Sequence, residues 1–150
     1  MTNIDFYAIE AAIQRHRKAV AVANEHNKPV VFDILAATGI TSVTVDFDGE
    51  GDSGQIESVI ACVGATRVEL PTTPVTLQHV SWNRDALSNR TEPLREAIET
   101  LCYDYLEQTH AGWENNDGAF GSFTFDVDNR TIELEFNGRY TDIATNIYEF

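Results

Sequence analysis

Acidic side chains at alternate positions dominate residues 46–57, and their spacing could hold a divalent cation. Oxygen ligands at every second position, a glycine at the sixth and a glutamate at the twelfth are the pattern of a calcium-binding loop. The residues that match this pattern are Asp46, Asp48, Glu50, Gly51, Asp52 and Glu57. Because hard cations prefer oxygen ligands, a calcium site in this loop is one hypothesis for the function of the chain.

Three features of the same loop favour an acidic hairpin turn without a metal. Ser53 occupies the eighth position, where an aliphatic residue is expected, and Gly54 offers no side chain at the ninth. The flanking segments have the patterns of strands, whereas a calcium loop of this type joins two helices. We therefore expect no bound metal, and the calcium site stands as an alternative.

No catalytic signature occurs in the sequence, which lacks HExxH, GxSxG, a phosphate-binding glycine loop and zinc-type Cys/His spacing. His79 has no acid, Ser or Cys at a motif spacing, and His110 suits the dipole at the end of a helix, so we interpret both as structural. We assign no catalytic residue and expect no cofactor. An enzyme with an unrecognised active site is a second alternative, and it would have to use His79, His110, Glu114 and Asp117.

The charge of the chain limits its partners. The 150 residues carry 24 acids and 10 bases, a net charge of −14. Residues 1–40 hold four of each, so residues 41–150 hold 20 acids and six bases. Such a field repels phosphate backbones and anionic membranes and attracts basic proteins. We therefore expect neither direct nucleic-acid binding nor membrane binding.

Length and cysteine content predict one domain in a reducing compartment. A chain of 150 residues buries enough surface to fold without a disulfide or metal. Cys62 and Cys102 stand in apolar patterns without a CxxC motif, so we interpret them as reduced core thiols. The sequence shows no signal peptide and no apolar run of about 20 residues, and we expect a cytosolic protein.

The first 40 residues predict two helices. Thr2 or Asn3 can cap a helix that runs to about His26, and Asn27-Lys28-Pro29 then breaks it. A second helix is expected over residues 30–38, closed by Gly39.

A hairpin follows, in which residues 43–48 form an edge-side strand and residues 56–63 a more central one. Residues 68–70 suggest a short extended piece, residues 75–82 a strand and residues 83–90 a loop. Thr91 then caps a third helix, one side of which carries an apolar stripe. Acids that include Asp104 lie largely off this stripe, so we expect them on the solvent-exposed side of the helix. Trp113 and Phe120 lie in a glycine-rich loop and are expected to fold back onto the core.

A second hairpin pairs residues 123–127 with residues 132–136. Placing both apolar sets on one face leaves two registers, of which a tight Asp128-Asn129 turn sets Phe125 opposite Ile132. The other register opposes Asp126 and Glu133, a like-charge pair, so we prefer the tight turn. The aromatic residues of 139–150 suggest a docked tail.

Three segments resemble a family of small acidic bacterial proteins known only as a domain of unknown function. They read F-D-G-E-G-D-S-G-Q-I-E, then G-W-E-N-N-D-G-A-F-G-S-F-T-F-D-V, then T-I-E-L-E-F-N-G-R-Y. The resemblance covers about residues 40–140 and implies a bacterial cytosolic protein associated with plasmids and other mobile elements. It implies no activity.

We predict a single α+β domain in the order α-α-β-β-β-α-β-β, with helices packed on one face of an antiparallel sheet of four to five strands. The opposite face would then be electronegative, and we expect it to dock on a basic protein, such as a nucleic-acid-binding one, as an inhibitor or adaptor would. An equally simple interpretation is that these acids only keep the protein soluble. The predicted partner-binding residues are Asp46, Asp48, Glu50, Asp52, Asp126, Glu133 and Glu135.

Overall fold

The computed structural model describes residues 5–51, 53–82, 86–115, 117–140 and 143–149. Two helices and seven strands occur in this part of the chain. In chain order they are α1 (Phe6–Ala37), β1 (Ser42–Glu50), β2 (Ser53–Val63), β3 (Thr66–Val68), β4 (Pro74–Val80), β5 (Leu87–Pro93), α2 (Leu94–Thr109), β6 (Ala119–Asp126) and β7 (Thr131–Gly138). Neither helix is long and apolar enough to span a bilayer.

The strands form a five-stranded antiparallel sheet in the order β3-β2-β1-β6-β7 and a separate hairpin of β4 and β5. The predicted α+β class and the order of its elements are confirmed. The position of β1 differs from the prediction, because β1 is the central strand and not an edge-side one. It pairs with β2 on one side and with β6 on the other, so both predicted hairpins join along it.

One face of the five-stranded sheet carries the core. The predicted helix-facing residues lie there: Val43, Val45, Phe47, Phe123 and Phe125 are buried, and Ile132, Leu134 and Phe136 pack against them partly buried. Helix α1 contributes Phe32, whose ring centre lies 5.9 Å from that of Phe125. The β4 strand adds Val75 and Leu77 to the same cluster. Burial of these apolar side chains, each contributing about 1.5–3 kcal/mol, is the main term that holds the layers together.

A bulge adjusts the register between β1 and β2. Val45 opposes Val59 and Asp46 opposes Ser58, but Phe47 opposes Ile56, so Glu57 is the extra residue. Without the bulge, residues on one side of it would point to the wrong face, because side chains alternate along a strand. The bulge therefore lets both Ile56 and Val59 face the core.

Helix α1 is a single helix of 32 residues, so the predicted break at residues 27–29 is wrong. Pro29 lies inside the helix and removes one backbone hydrogen bond, which costs about 3 kcal/mol in a helix interior. Tertiary contacts offset this cost. The buried Asn27 side chain donates to the Gln78 carbonyl at 3.0 Å and accepts from the Gln78 N–H at 2.8 Å, which fastens the helix to β4.

The helix begins later than predicted, after Asp5. The Asp5 carboxylate accepts a hydrogen bond from the Ala8 N–H and caps the helix. The predicted caps Thr2 and Asn3 lie outside the described residues. Val31, Phe32 and Leu35 are buried in the second half of α1, whereas residues 6–22 include no buried side chain.

A strand replaces part of the loop predicted at residues 83–90. Residues 83–85 lie outside the described part of the chain, and β5 begins at Leu87. Thr91, predicted to cap the following helix, lies in this strand and shares a hydrogen bond with Thr76 across the hairpin. Helix α2 follows with Pro93 as its N-cap and no side-chain cap.

The predicted register of the second long hairpin is confirmed, since Phe125 opposes Ile132. The connection has four residues, because β6 ends at Asp126 and β7 begins at Thr131. Arg130 closes it with φ of 55°.

The loop aromatics divide into one buried and one exposed side chain. Trp113 folds onto the core as predicted and lies over Gly54, where an added Cβ would stand 2.5 Å from the indole Cη2. Phe120 is 43% exposed and contacts Arg139, so the prediction is wrong for it. The docked tail is also not observed: Tyr140 and Tyr148 are exposed, and Phe150 lies outside the described residues.

Replacement of Asn27 by Ala should lower the free energy of unfolding by about 2 kcal/mol, because it leaves the Gln78 N–H and carbonyl without partners. Urea unfolding followed by circular dichroism measures the change. The matched control is His26→Ala at an exposed neighbouring position, which should change stability by less than about 0.5 kcal/mol. Equal stabilities of the two variants would contradict the role given to Asn27.

Candidate functional site

The candidate site is the face of the five-stranded sheet opposite the core, which we call the open face. It is formed by the residues between the buried ones along each strand, and no described helix covers it. Its acids on the three strands β1, β6 and β7 are Asp46, Asp48, Glu50, Asp126, Glu133 and Glu135. The alternation predicted from the sequence therefore brings six of the seven predicted partner-binding residues onto one surface.

Hydroxyl side chains separate these acids across the strands. Asp46 is opposite Ser58 on β2 and Ser122 on β6, and Ser122 in turn is opposite Glu135. Glu133 is opposite Thr124, and Asp126 is opposite Thr131. Like charges directly across from one another destabilise a sheet. The register thus allows a dense acidic surface without a directly opposed carboxylate pair.

Hydrogen bonds hold two of the carboxylates in place. Asp46 accepts from the Ser58 hydroxyl at 2.9 Å. Asp126 accepts from the side-chain amide of Asn129 at 2.8 Å and from its backbone N–H at 3.2 Å. These bonds from Asn129 favour the ionised form and lower the pKa of Asp126. Both groups are therefore presented as oriented, charged acceptors.

Asp48 differs from the other acids because it is paired with a base. Arg139 donates to its two carboxylate oxygens at 2.9 and 3.2 Å, and the same guanidinium lies 4.7 Å from the ring centre of Phe120. The hydrogen bond to Asp48 raises the pKa of Arg139. This pair neutralises one end of the open face, between β1 and the end of β7.

Glu50 is the last residue of β1 and lies at one end of the open face. Glu50 is exposed and opposite Ser53, Glu57 is the exposed bulge residue, and Asp52 lies outside the described residues. The segments on both sides of the loop are strands, unlike the helices of a calcium loop. Across the described chain, no three His, Cys, Asp or Glu residues are grouped so that they could hold a metal ion.

The four residues considered for catalysis each have different neighbours. His79 is exposed on β4, while the His110 ring stacks on Phe136 with ring centres 3.6 Å apart. Glu114 lies next to Gly54, and Asp117 is exposed in the loop before β6. Within the described part of the chain, no recorded contact joins any two of these four residues. Cys102 is buried, which raises the pKa of its thiol and keeps it protonated.

A polar cluster between α1 and α2 was missed by the sequence reasoning. Asp104, predicted on the wet side of α2, is half-buried and accepts from the Asn24 amide at 3.1 Å. Burial raises the pKa of Asp104, opposed by the Asn24 hydrogen bond and by His79 and His16. The sequence feature that could have indicated this cluster is the pair Asn24 and Asn27, two amides three residues apart on the apolar side of a helix.

The structure thus defines an α+β protein whose sheet is covered by helices on one face and is open and acidic on the other. The chain belongs to a family of unknown function (DUF6878), whose model matches residues 23–150. The match includes residues 40–140, for which the sequence indicated a family of unknown function, and begins at Ala23, the first buried residue of α1. Searches of curated proteins and of solved structures found no match.

The calcium alternative is tested by thermal melts with added calcium or EDTA. We expect no change in melting temperature, because a turn without a site gains nothing from the ion. A site of micromolar affinity would instead add about 4 kcal/mol at a thousandfold excess of free calcium. A large shift with calcium but not magnesium, abolished by Asp46→Asn with Asp48→Asn, would establish the calcium site.

The buried Asp104 predicts a pH-dependent difference between the protein and Asp104→Asn. The pKa of Asp104 in the folded protein lies above the ordinary value of 3.8. Ionisation of Asp104 therefore does not lower the stability below pH 3.8, and its full destabilising effect is reached above the folded-state pKa. Stability relative to Asp104→Asn should therefore fall as pH rises from 4 to about 7.5. Urea unfolding of both proteins at the two pH values measures this difference.

Proposed function

We propose that this protein is a non-enzymatic interaction module that docks its open face on a basic surface of a partner protein. The partner surface would be one that otherwise binds nucleic acid, so that the protein acts as an inhibitor or adaptor. The observation that carries the proposal is the arrangement of Asp46, Asp126, Glu133 and Glu135 on an uncovered sheet face, where none forms an ion pair within the described chain.

The charge distribution supports this choice of partner. Residues 41–150 carry 20 acids against six bases, and one of those bases, Arg139, is already paired with Asp48. A one-sign surface steers an oppositely charged partner and accelerates association, with an effect that weakens as salt screens it. A basic nucleic-acid-binding groove presents the complementary field and the hydrogen-bond donors that carboxylates accept.

The rigidity of the open face also supports binding. Its acids project from paired strands, and Asp46 and Asp126 are held by Ser58 and Asn129. Side chains held before binding lose less conformational entropy when a partner docks. An acidic tail of the same charge would lack this advantage, because its side chains would have to be ordered on binding.

A competing role for two of these acids is protection of the sheet edge. Glu133 and Glu135 lie on β7, which is an outer strand of the sheet. Charged side chains on an outer strand oppose pairing with other chains, and a high net charge favours solubility. Protection of the sheet edge does not involve Asp46 or Asp126, because they lie on inner strands. The two roles therefore predict effects from substitutions at different positions.

We propose in addition that the protein is bacterial and cytoplasmic and that a plasmid or another mobile element encodes it. This part rests on the resemblance of the three segments within residues 40–140, including T-I-E-L-E-F-N-G-R-Y. An inhibitor encoded on such an element would meet nucleic-acid-binding proteins of its host.

The test is a pull-down from the native host, followed by salt titration of any complex with the purified partner. Replacement of Asp126 and Glu133 by Lys should weaken binding by at least about a hundredfold at low salt, because it places two bases against a basic surface. The slope of affinity against salt concentration should also decrease.

The matched control is Glu25→Lys with Glu96→Lys, two exposed acids of α1 and α2. This variant has the same net charge as the first and leaves the open face unchanged, so it should retain most of the affinity. Equal weakening by the two variants would show that net charge alone drives binding. Full binding by Asp126→Lys with Glu133→Lys would remove the open face from the mechanism.

A further inference from the structure

A cavity of 280 Å³ lies on the helical side of the molecule, between the first half of α1 and the second half of α2. Trp82, two residues after the end of β4, also lines it. Its apolar wall includes Ile13 and Val20 of α1 together with the Trp82 indole. Its polar wall includes His16 of α1 and the carboxylates of Asp104 and Glu107 of α2. The open face does not contribute to it.

The size of the cavity limits its occupant. Pockets that enclose drug-sized ligands occupy roughly 300–1,000 Å³. A cavity of 280 Å³ fits one long side chain better than a cofactor. It is also open to solvent, since Trp82 is 49% exposed and Glu107 is exposed, so a peptide backbone could continue outside.

The walls of the cavity favour a positively charged group with an aliphatic stem. Asp104 and Glu107 are three residues apart and thus lie on one side of α2. Arg17 also lines the cavity and attracts Glu107, which leaves one carboxylate in excess. Partial removal from water raises the pKa of the Asp104 and Glu107 carboxyl groups. A cation bound beside them would stabilise their ionised forms in place of the missing water.

Two further groups in the cavity are suited to a planar cation. The Trp82 ring stands edge-on to His16, with ring centres 4.9 Å apart and planes at 82°. Aromatic faces attract cations, and guanidinium also stacks on them. The buried Nδ1 atom of His16 has no hydrogen-bond partner within the described chain, so its hydrogen-bonding capacity is unused.

We propose that this cavity binds the side chain of an arginine presented by a peptide or protein. The aliphatic stem would pack on Ile13 and Val20, and the guanidinium would lie by Trp82 and donate to Asp104. Guanidinium is preferred to ammonium because its several donors in one plane match a carboxylate and because it also stacks on an aromatic ring. This site is separate from the open face and does not rest on the docking proposed above.

The test uses Nα-acetyl-argininamide as the probe and nuclear magnetic resonance as the readout. The chain has two tryptophans, and Trp82→Phe identifies which indole N–H signal belongs to Trp82. Titration should shift the Trp82 signal with half-saturation on the order of 1 mM, as expected for a ligand of this size. The signal of buried Trp113 should not move.

Two variants and one compound serve as controls. Asp104→Asn should raise the half-saturation concentration by about tenfold, and Glu107→Gln should raise it less, since loss of a charge weakens a charge-assisted hydrogen bond. Exposed Glu96→Gln, which removes the same charge elsewhere on α2, should have no effect. Nα-acetyl-citrullinamide, a neutral compound of nearly the same shape, should not saturate the Trp82 signal.

Equal shifts from the arginine and citrulline compounds would overturn the proposal, as would unchanged affinity in both Asp104→Asn and Glu107→Gln. The full amide spectrum of each variant establishes that it is folded. Asp126→Lys with Glu133→Lys should bind the arginine compound unchanged, so failure of this site and failure of the open face are separate results.

Discussion

The buried side chain of Asn27 connects the helical layer to the β4–β5 hairpin by hydrogen bonds, in addition to the apolar packing of Val75 and Leu77. The Asn27 side chain makes two hydrogen bonds to the backbone of Gln78 and a third to Asn24, which in turn donates to Asp104. The two bonds between Asn27 and Gln78 occur two residues before Pro29, where an isolated helix would be weakest. Because α1 continues through this point, Phe32 reaches Phe125 and the helix covers the sheet.

Coverage of one sheet face by both helices leaves the other face open. The strands satisfy their backbone hydrogen bonds laterally, so an antiparallel sheet can expose a whole face to water. In this protein the exposed face is not merely polar but acidic, and its acids alternate with hydroxyl residues across the strands. The ion pair between Asp48 and Arg139 on this face also joins the residue that follows β7 to β1.

The helical side has a different electrostatic character. The Asn27 network extends through Asn24 to Asp104, whose carboxylate is close to His16 and His79 and is partly removed from water. Beyond this network the first half of α1 has no buried residue, and a cavity opens between it and α2. The described residues thus place acids on the open face of the sheet and, separately, in the cavity between the helices, where Asp104 and Glu107 lie.

The sequence alone determined the features that depend on local periodicity. The alternation of residues 123–136 left two registers, and the like-charge pair in one of them selected the register that sets Phe125 opposite Ile132. Helical spacing of apolar residues was sufficient for the buried stripe of α2. Only the tertiary structure decided the continuity of α1, the pairing of β5, the central place of β1 and the burial of Asp104. Each of these depends on partners distant in the chain, such as Asn27 with Gln78, Asn24 with Asp104 and Asp48 with Arg139. A local pattern fixes which side of a helix or strand is apolar, but packing energy between distant segments decides whether a proline breaks a helix and which polar groups are removed from water.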